Sequence, residues 1–247
     1  VSHVEEPLRT VYLDAFAIDK YEVTNGEYRA CVEAEACAAP RKNDSRLRER
    51  YFDEPAFDLY PVLYVSWWDA QSYCTWVDKR LPTEAEWEKA ARGTVDTRRW
   101  PWGDADPNCD LLNYTNDSDE DGEWTVCVDD TTQVGSYPAG ASPFGLMDVA
   151  GNAFEWVADR YDVLYYSYAP NDNPTGPTFS RVVDYLPPED EFPWPVFTIR
   201  GGSYRPHWFY PRVAHRHWGH HGDEPYTDEP YFRNDQVGFR CAKDVEE

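Results

Sequence analysis

"PVLYVSWWDAQSYCTWVDKRLPTEAEWEKAARG", residues 61–93, decides how the rest of the chain is read. It contains two helix starts of the same kind. Ser66 stands three residues before Asp69 and Thr83 three before Glu86, the spacing at which a hydroxyl and a carboxylate satisfy each other's backbone N–H groups. Behind these caps Ala70, Tyr73, Cys74 and Val77, then Trp87, Ala90 and Ala91, recur at the interval of one buried helical stripe. Gly93 is a natural stop. The same signature opens "TNGEYRACVEA", where Thr24 precedes Glu27 and Tyr28, Cys31 and Val32 share a face. Three short capped helices are therefore predicted, all before residue 94.

Beyond Gly93, Pro, Gly, Asn and Asp interrupt the chain every few residues. The segments between are short and aromatic, as in "FEWVADRY", "FTIRGGSY" and "VGFRC", which predicts short strands in long loops. With 247 residues, 41% hydrophobic and 16% aromatic, a sizeable core is available. Eleven Trp and eighteen Tyr beside twenty Pro and one Met point to a core of aromatic slabs. The expected fold class is α/β (α+β) with low regular secondary structure. It is read as one domain over residues 1–247, with the proline-rich stretch 169–195 as a long surface excursion.

A net charge of -23 excludes nucleic acid and anionic membrane as partners and favours cations or basic proteins. No apolar run approaches the roughly eighteen residues a membrane helix needs. Beginning at Val1 without a leader-like segment, the sequence reads as a processed or trimmed chain. The six cysteines include no Cys-x-x-Cys pair, so disulfides are favoured over zinc. Cys31 with Cys37 and Cys109 with Cys127 would close local loops, leaving Cys74 for Cys241, although six cysteines admit other connectivities. Three bridges imply an oxidising, extracytoplasmic compartment.

Two acidic motifs point to calcium. "NDSDEDGEW" places Asp117, Asp119 and Asp121 before Gly122, alternate carboxylates that can converge on a hard cation. The twelfth position of that loop is Val128 instead of a bidentate Glu, so Asp129 or Asp130 would have to close the shell, and a solvated acidic turn is the competing reading. In "DVAGNAFEW", Asp148 and Glu155 bracket a tight turn whose carbonyls can face the same point, against the alternative of a surface Asp and a salt-bridged Glu.

Taken in order, "YEVTNGEYRACV", residues 61–93, "WPWGD", "PFGLMDVAGNAFEWVADRY", "IRGGSY" and "VGFRC" resemble the signature blocks of the formylglycine-generating enzyme or sulfatase-modifying factor family, across nearly the whole chain. The resemblance implies a loop-rich variant of the C-type-lectin-like fold, stabilised by calcium. It also implies the Cys74–Cys241 bridge. It assigns one calcium site to Asp148, Gly151, Ala153 and Glu155, with Asp148 where the family has Asn. A second would use Asn113, the Tyr114 carbonyl and an acidic residue near Asp129, with Asp117, Asp119 and Asp121 enlarging it or forming their own site.

Enzymes of this family hold copper(I) with two cysteines, and soft thiolates suit that ion. The matching positions here are Pro206 and Pro211, while Ser203 matches a family active-site serine. Formylglycine generation is therefore not expected. The leading expectation is a non-catalytic, calcium-stabilised binding module. It would present a groove of Tyr204, Arg205, His207, Trp208, Tyr210, His215, His217 and Trp218 to a protein or peptide, alone or as a subunit of a larger assembly. The alternative is a metal-dependent oxidase using His207, His215, His217, His220 and His221. No hydrolase elbow, phosphate loop or His-Glu-x-x-His segment offers another chemistry.

Overall fold

The computed structural model describes residues 3–94, 98–116, 125–182, 195–205, 211–219 and 234–245. The helices are α1 (Asn25–Glu33), α2 (Trp67–Trp76) and α3 (Glu84–Arg92), and each begins at its predicted cap. Thr24, Ser66 and Thr83 each close a complete capping box, with the N3 carboxylate accepting from the cap backbone. α3 ends at Gly93, whose φ of 86° places it in the left-handed region, and a Cβ there would lie 2.7 Å from Pro143.

The strands are short, as the broken sequence pattern requires. β1 (Phe16–Ile18) pairs antiparallel with β8 (Ala242–Asp244), and β2 (Thr115–Asn116) with β3 (Thr125–Val126). The main sheet has the order β6-β5-β4-β7, from β4 (Phe154–Arg160), β5 (Phe197–Arg200), β6 (His217–Trp218) and β7 (Val237–Phe239). β4 is antiparallel to β5 and parallel to β7, with Glu155 opposite Arg200 on one side and Gly238 on the other.

α1 and α2 pack their predicted stripes, Tyr28, Cys31, Ala70, Tyr73 and Cys74, against Trp156, Ile199 and Phe239 of this sheet. Large apolar side chains buried in this way, such as Ile199 and Phe239, contribute roughly 1.5–3 kcal/mol each. Trp67 adds a ring stack on Phe197 at 3.9 Å and an indole hydrogen bond to the Val157 carbonyl at 2.8 Å. α3 buries Trp87, Ala90 and Ala91 in a second cluster with Leu146, Val149, Val157 and Val213. All three predicted disulfides form: Cys31–Cys37, Cys109–Cys127 and Cys74–Cys241. The described part of the 169–195 stretch is exposed or half-buried apart from Pro174 and Pro177, and is tied down by Arg181, which pairs with buried Asp162 at 2.8 Å. No helix among the described residues is long and apolar enough to cross a membrane.

Candidate cation site and the groove region

The turn that feeds β4 is tightly wound. Asp148, Gly151 and Asn152 have φ of 59°, 77° and 59°, three left-handed residues within five positions. Gly151 is required, because a Cβ there would fall 2.3 Å from the Asn113 carbonyl oxygen. That close approach lets the Asn152 N–H donate to the same oxygen at 2.9 Å, so the turn and the Asn113 segment are held together.

Glu155, the first β4 carboxylate, is wholly buried. Arg240 grips it bidentately at 2.6 and 2.7 Å, and the Trp87 indole donates to it at 2.8 Å. Its Oε2 accepts two donors and its Oε1 one, which leaves a lone pair on Oε1. Asp148 accepts from the Gly135 N–H at 2.6 Å through Oδ2, while its buried Oδ1 has no partner among the described residues. Glu22, 1% exposed, accepts from the Asn152 amide at 2.7 Å and from the Ala153 N–H at 3.1 Å.

This is a crowded acidic interior. Burial, then the Asp148 and Glu155 carboxylates, push Glu22 well above the usual carboxylate range. Burial also pushes Asp148 up to about 6. An all-oxygen donor set with an orphaned carboxylate oxygen suits a hard cation, so the residues fit calcium. Among the described residues no three His, Cys, Asp or Glu side chains converge on one point. Asp148 and Glu155 would therefore hold the ion together with backbone carbonyls, as the resemblance implies for Gly151 and Ala153.

The second predicted set is distributed differently from expectation. Asn113 is buried, donates to the Asp130 carbonyl at 2.7 Å, and leaves its Oδ1 without a partner among the described residues. The Tyr114 carbonyl accepts from Cys127 N–H at 3.2 Å. Asp129 turns outward to Arg46 at 2.8 Å, whereas Asp130 is the buried carboxylate, held by Ser45 Oγ, Leu47 N–H and Arg48. Asp117, Asp119 and Asp121 lie outside the described residues.

In the groove region the expectation for Tyr204 needs correction. Its side chain has no exposure and its hydroxyl lies 3.0 Å from Asp235, because it closes the core beneath this surface instead of facing a partner. Arg205 is half-buried and pairs with the same carboxylate at 2.8 Å. Ser203 is also buried, donating to Gln236 at 3.0 Å. His215 and His217 lie side by side with ring centroids 6.0 Å apart. His215 is buried beside Glu5, 3.4 Å away, and burial lowers its pKa below the ordinary histidine value although Glu5 pulls the other way. His217 Nδ1 accepts from the Trp218 N–H at 2.8 Å, and both residues are half-buried. His207, Trp208, Tyr210, His220 and His221 lie outside the described residues, as does Pro206, and Pro211 is buried.

Sequence reading missed Glu22 and Arg240, and with them a second buried network. Arg200 and Arg216, both without exposure, share Glu84, each approaching Oε1 at 2.7 Å. Arg200 also reaches Glu88 at 2.8 Å and the Val213 carbonyl at 2.6 Å, which fastens the 211–217 segment to α3.

Fold, pairing and turn geometry together define a sulfatase-modifying-factor type of domain. The chain belongs to this family: the Sulfatase-modifying factor enzyme 1-like domain matches residues 2–245. It is 32% identical over 254 residues to a Chlamydia caviae serine/threonine-protein kinase, pkn1, covering 98% of this chain and 35% of that protein. The chain thus spans about a third of that relative's length. It is 31% identical to a Streptomyces coelicolor formylglycine-generating enzyme, covering 98% of this chain and 82% of the relative. Among solved structures, PvdO from Pseudomonas aeruginosa superposes with a TM-score of 0.66 at 26% identity, covering 97% of this chain and 85% of PvdO.

Proposed function

We propose that this chain is a non-catalytic binding or protein-interaction module on a formylglycine-generating-enzyme scaffold, stabilised by calcium and working in an oxidising, extracytoplasmic compartment. The observation that carries this reading is the state of its sulfur. All six cysteines are consumed in three disulfides, and prolines stand at the two positions where the enzymes of the family place copper thiolates. Copper(I) has no soft ligand pair left in the chain. Similarity over 98% of this chain to a much longer protein kinase supports a domain that serves a larger protein. The candidate partner residues among those described are the half-buried Arg205, His217 and Trp218. The disulfides support the compartment.

The direct test supplies copper(I), oxygen and a cysteine-containing peptide substrate of the formylglycine-generating enzymes. No aldehyde is expected, and appearance of one would overturn the reading. For calcium, an ion that binds only the folded state stabilises by mass action, so excess chelator should lower Tm in thermal denaturation. An unchanged Tm would remove calcium from the proposal. Isolation of the protein from its source should yield a stoichiometric partner, and a lone monomer would count against the interaction role.

A further inference from the structure

Three carboxylates, Glu22, Asp148 and Glu155, are buried around one guanidinium, Arg240. Arg240 pairs directly with Glu155, so Glu22 and Asp148 have no ion-pair partner among the described residues, and burial favours their protonated forms until a counter-charge arrives. Each unpaired buried ion costs several kcal/mol, so such a cluster calls for a counter-charge. A divalent cation supplies it in a single particle. Asn at position 148, the family's residue there, would leave only one such carboxylate.

The geometry gives the three acids different tasks. Glu155 is pinned by Arg240 and Trp87, and Asp148 presents its unpartnered Oδ1. Glu22 holds the turn itself: its two oxygens accept from the Ala153 N–H and the Asn152 amide, so it fixes the 152–153 backbone and adds a carboxylate beside it. The absence of a three-side-chain convergence among the described residues fits a Glu22 that acts beside the ion without ligating it.

We infer that Glu22 is the positioning and charge-setting residue of the cation site, and that with Asp148 it makes this site a dianionic cage that prefers divalent and trivalent ions over monovalent ones. The inference rests on the calcium reading above. It predicts that removing the Glu22 carboxylate costs affinity for the ion, because the backbone it fixes and the charge it adds both serve the cation.

Trp87 provides the probe. Its indole lies 2.8 Å from Glu155, close enough to sensitise terbium luminescence when tryptophan is excited. Terbium is titrated into the calcium-free protein and displaced with calcium, and Tm is recorded with chelator and with excess calcium. Asp148→Asn and Glu22→Gln should each weaken calcium binding about tenfold or more, the effect of roughly 1.4 kcal/mol. In chelator Asp148→Asn should hold or raise Tm, because Oδ1 has no partner among the described residues, whereas Glu22→Gln sets an amide NH2 against one of two donors and should lower it. A merely structural Glu22 would lower Tm under both conditions and leave the affinity unchanged. Equal calcium and terbium affinities in wild type and Glu22→Gln, or a Tm loss of the same size with and without calcium, would overturn the inference. Absence of any terbium or calcium binding by the wild type would instead overturn the calcium reading beneath it.

Discussion

Arg240 uses all five of its N–H donors: two on Glu155 and one each on the carbonyls of Asp19, Lys20 and Met147. It thereby joins the end of the main sheet to the segment before α1 and to the turn of the cation site. Removing one partner of such a pair strands the other as a buried charge, which costs about 3–5 kcal/mol. Arg240→Ala should therefore lose that much stability in urea denaturation with chelator present. Arg240→Met combined with Glu155→Leu should recover a large part of it, because both charges leave together. If the double replacement is as damaging as the single one, charge stranding is not the cause. Asp148 and Glu155 were legible in the sequence because a tight Gly-Asn-Ala turn between two acids is a local pattern. Glu22 and Arg240 were not, since an isolated acid or arginine flanked by apolar residues reads equally well as the solvent side of a strand. Tyr204 shows the converse error. An aromatic beside a lost active site invites a surface role, yet its neighbours bury it completely.

α3 carries a second concentration of buried charge. Thr83 caps it, Glu84 holds Arg200 and Arg216, Glu86 holds Arg80, and Glu88 takes Arg92 and Arg200. The Glu84 N–H also donates to Asp159 of β4 at 2.7 Å. Burial, reinforced by Glu84, pushes Asp159 up to about 8. The folded state thus keeps a proton that the unfolded chain releases near pH 4. Stability contributed by this residue is full below about pH 4 and declines as pH climbs to about 8, by at most about 1.4 kcal/mol per pH unit. Asp159→Asn should flatten that decline in denaturation curves taken across the window, and an unchanged slope would place the proton elsewhere. Thr83→Ala should cost about 1 kcal/mol through the lost cap, read from the same curves. The caps were legible because the interacting groups sit three residues apart. The ionic partners of Glu84 lie 116 and 132 residues away, and nothing in a local pattern couples such positions.

At the scale of the whole molecule, the short strands and three small α-helices among the described residues bury a modest regular framework, and long connections must be restrained by other means. The three disulfides do this over very different spans: 6 residues for Cys31–Cys37, 18 for Cys109–Cys127 and 167 for Cys74–Cys241. A cross-link stabilises chiefly by removing freedom from the unfolded chain, and the gain grows with the logarithm of the loop it closes. The expected contributions are about 2, 3 and 5 kcal/mol in that order. The longest bridge also joins α2 to the residue that follows Arg240, so it holds shut the same seam that carries the cation site. Paired Cys→Ser replacements, compared by urea denaturation at fixed calcium, should destabilise in the order Cys31/Cys37, Cys109/Cys127, Cys74/Cys241. Loss of the last should also weaken calcium binding at the Asp148 and Glu155 site, because that bridge anchors the strand end from which Arg240 reaches Glu155. A Cys31/Cys37 replacement that costs as much as Cys74/Cys241 would mean that native-state contacts at the short loop, and not loop closure, govern how this fold is held.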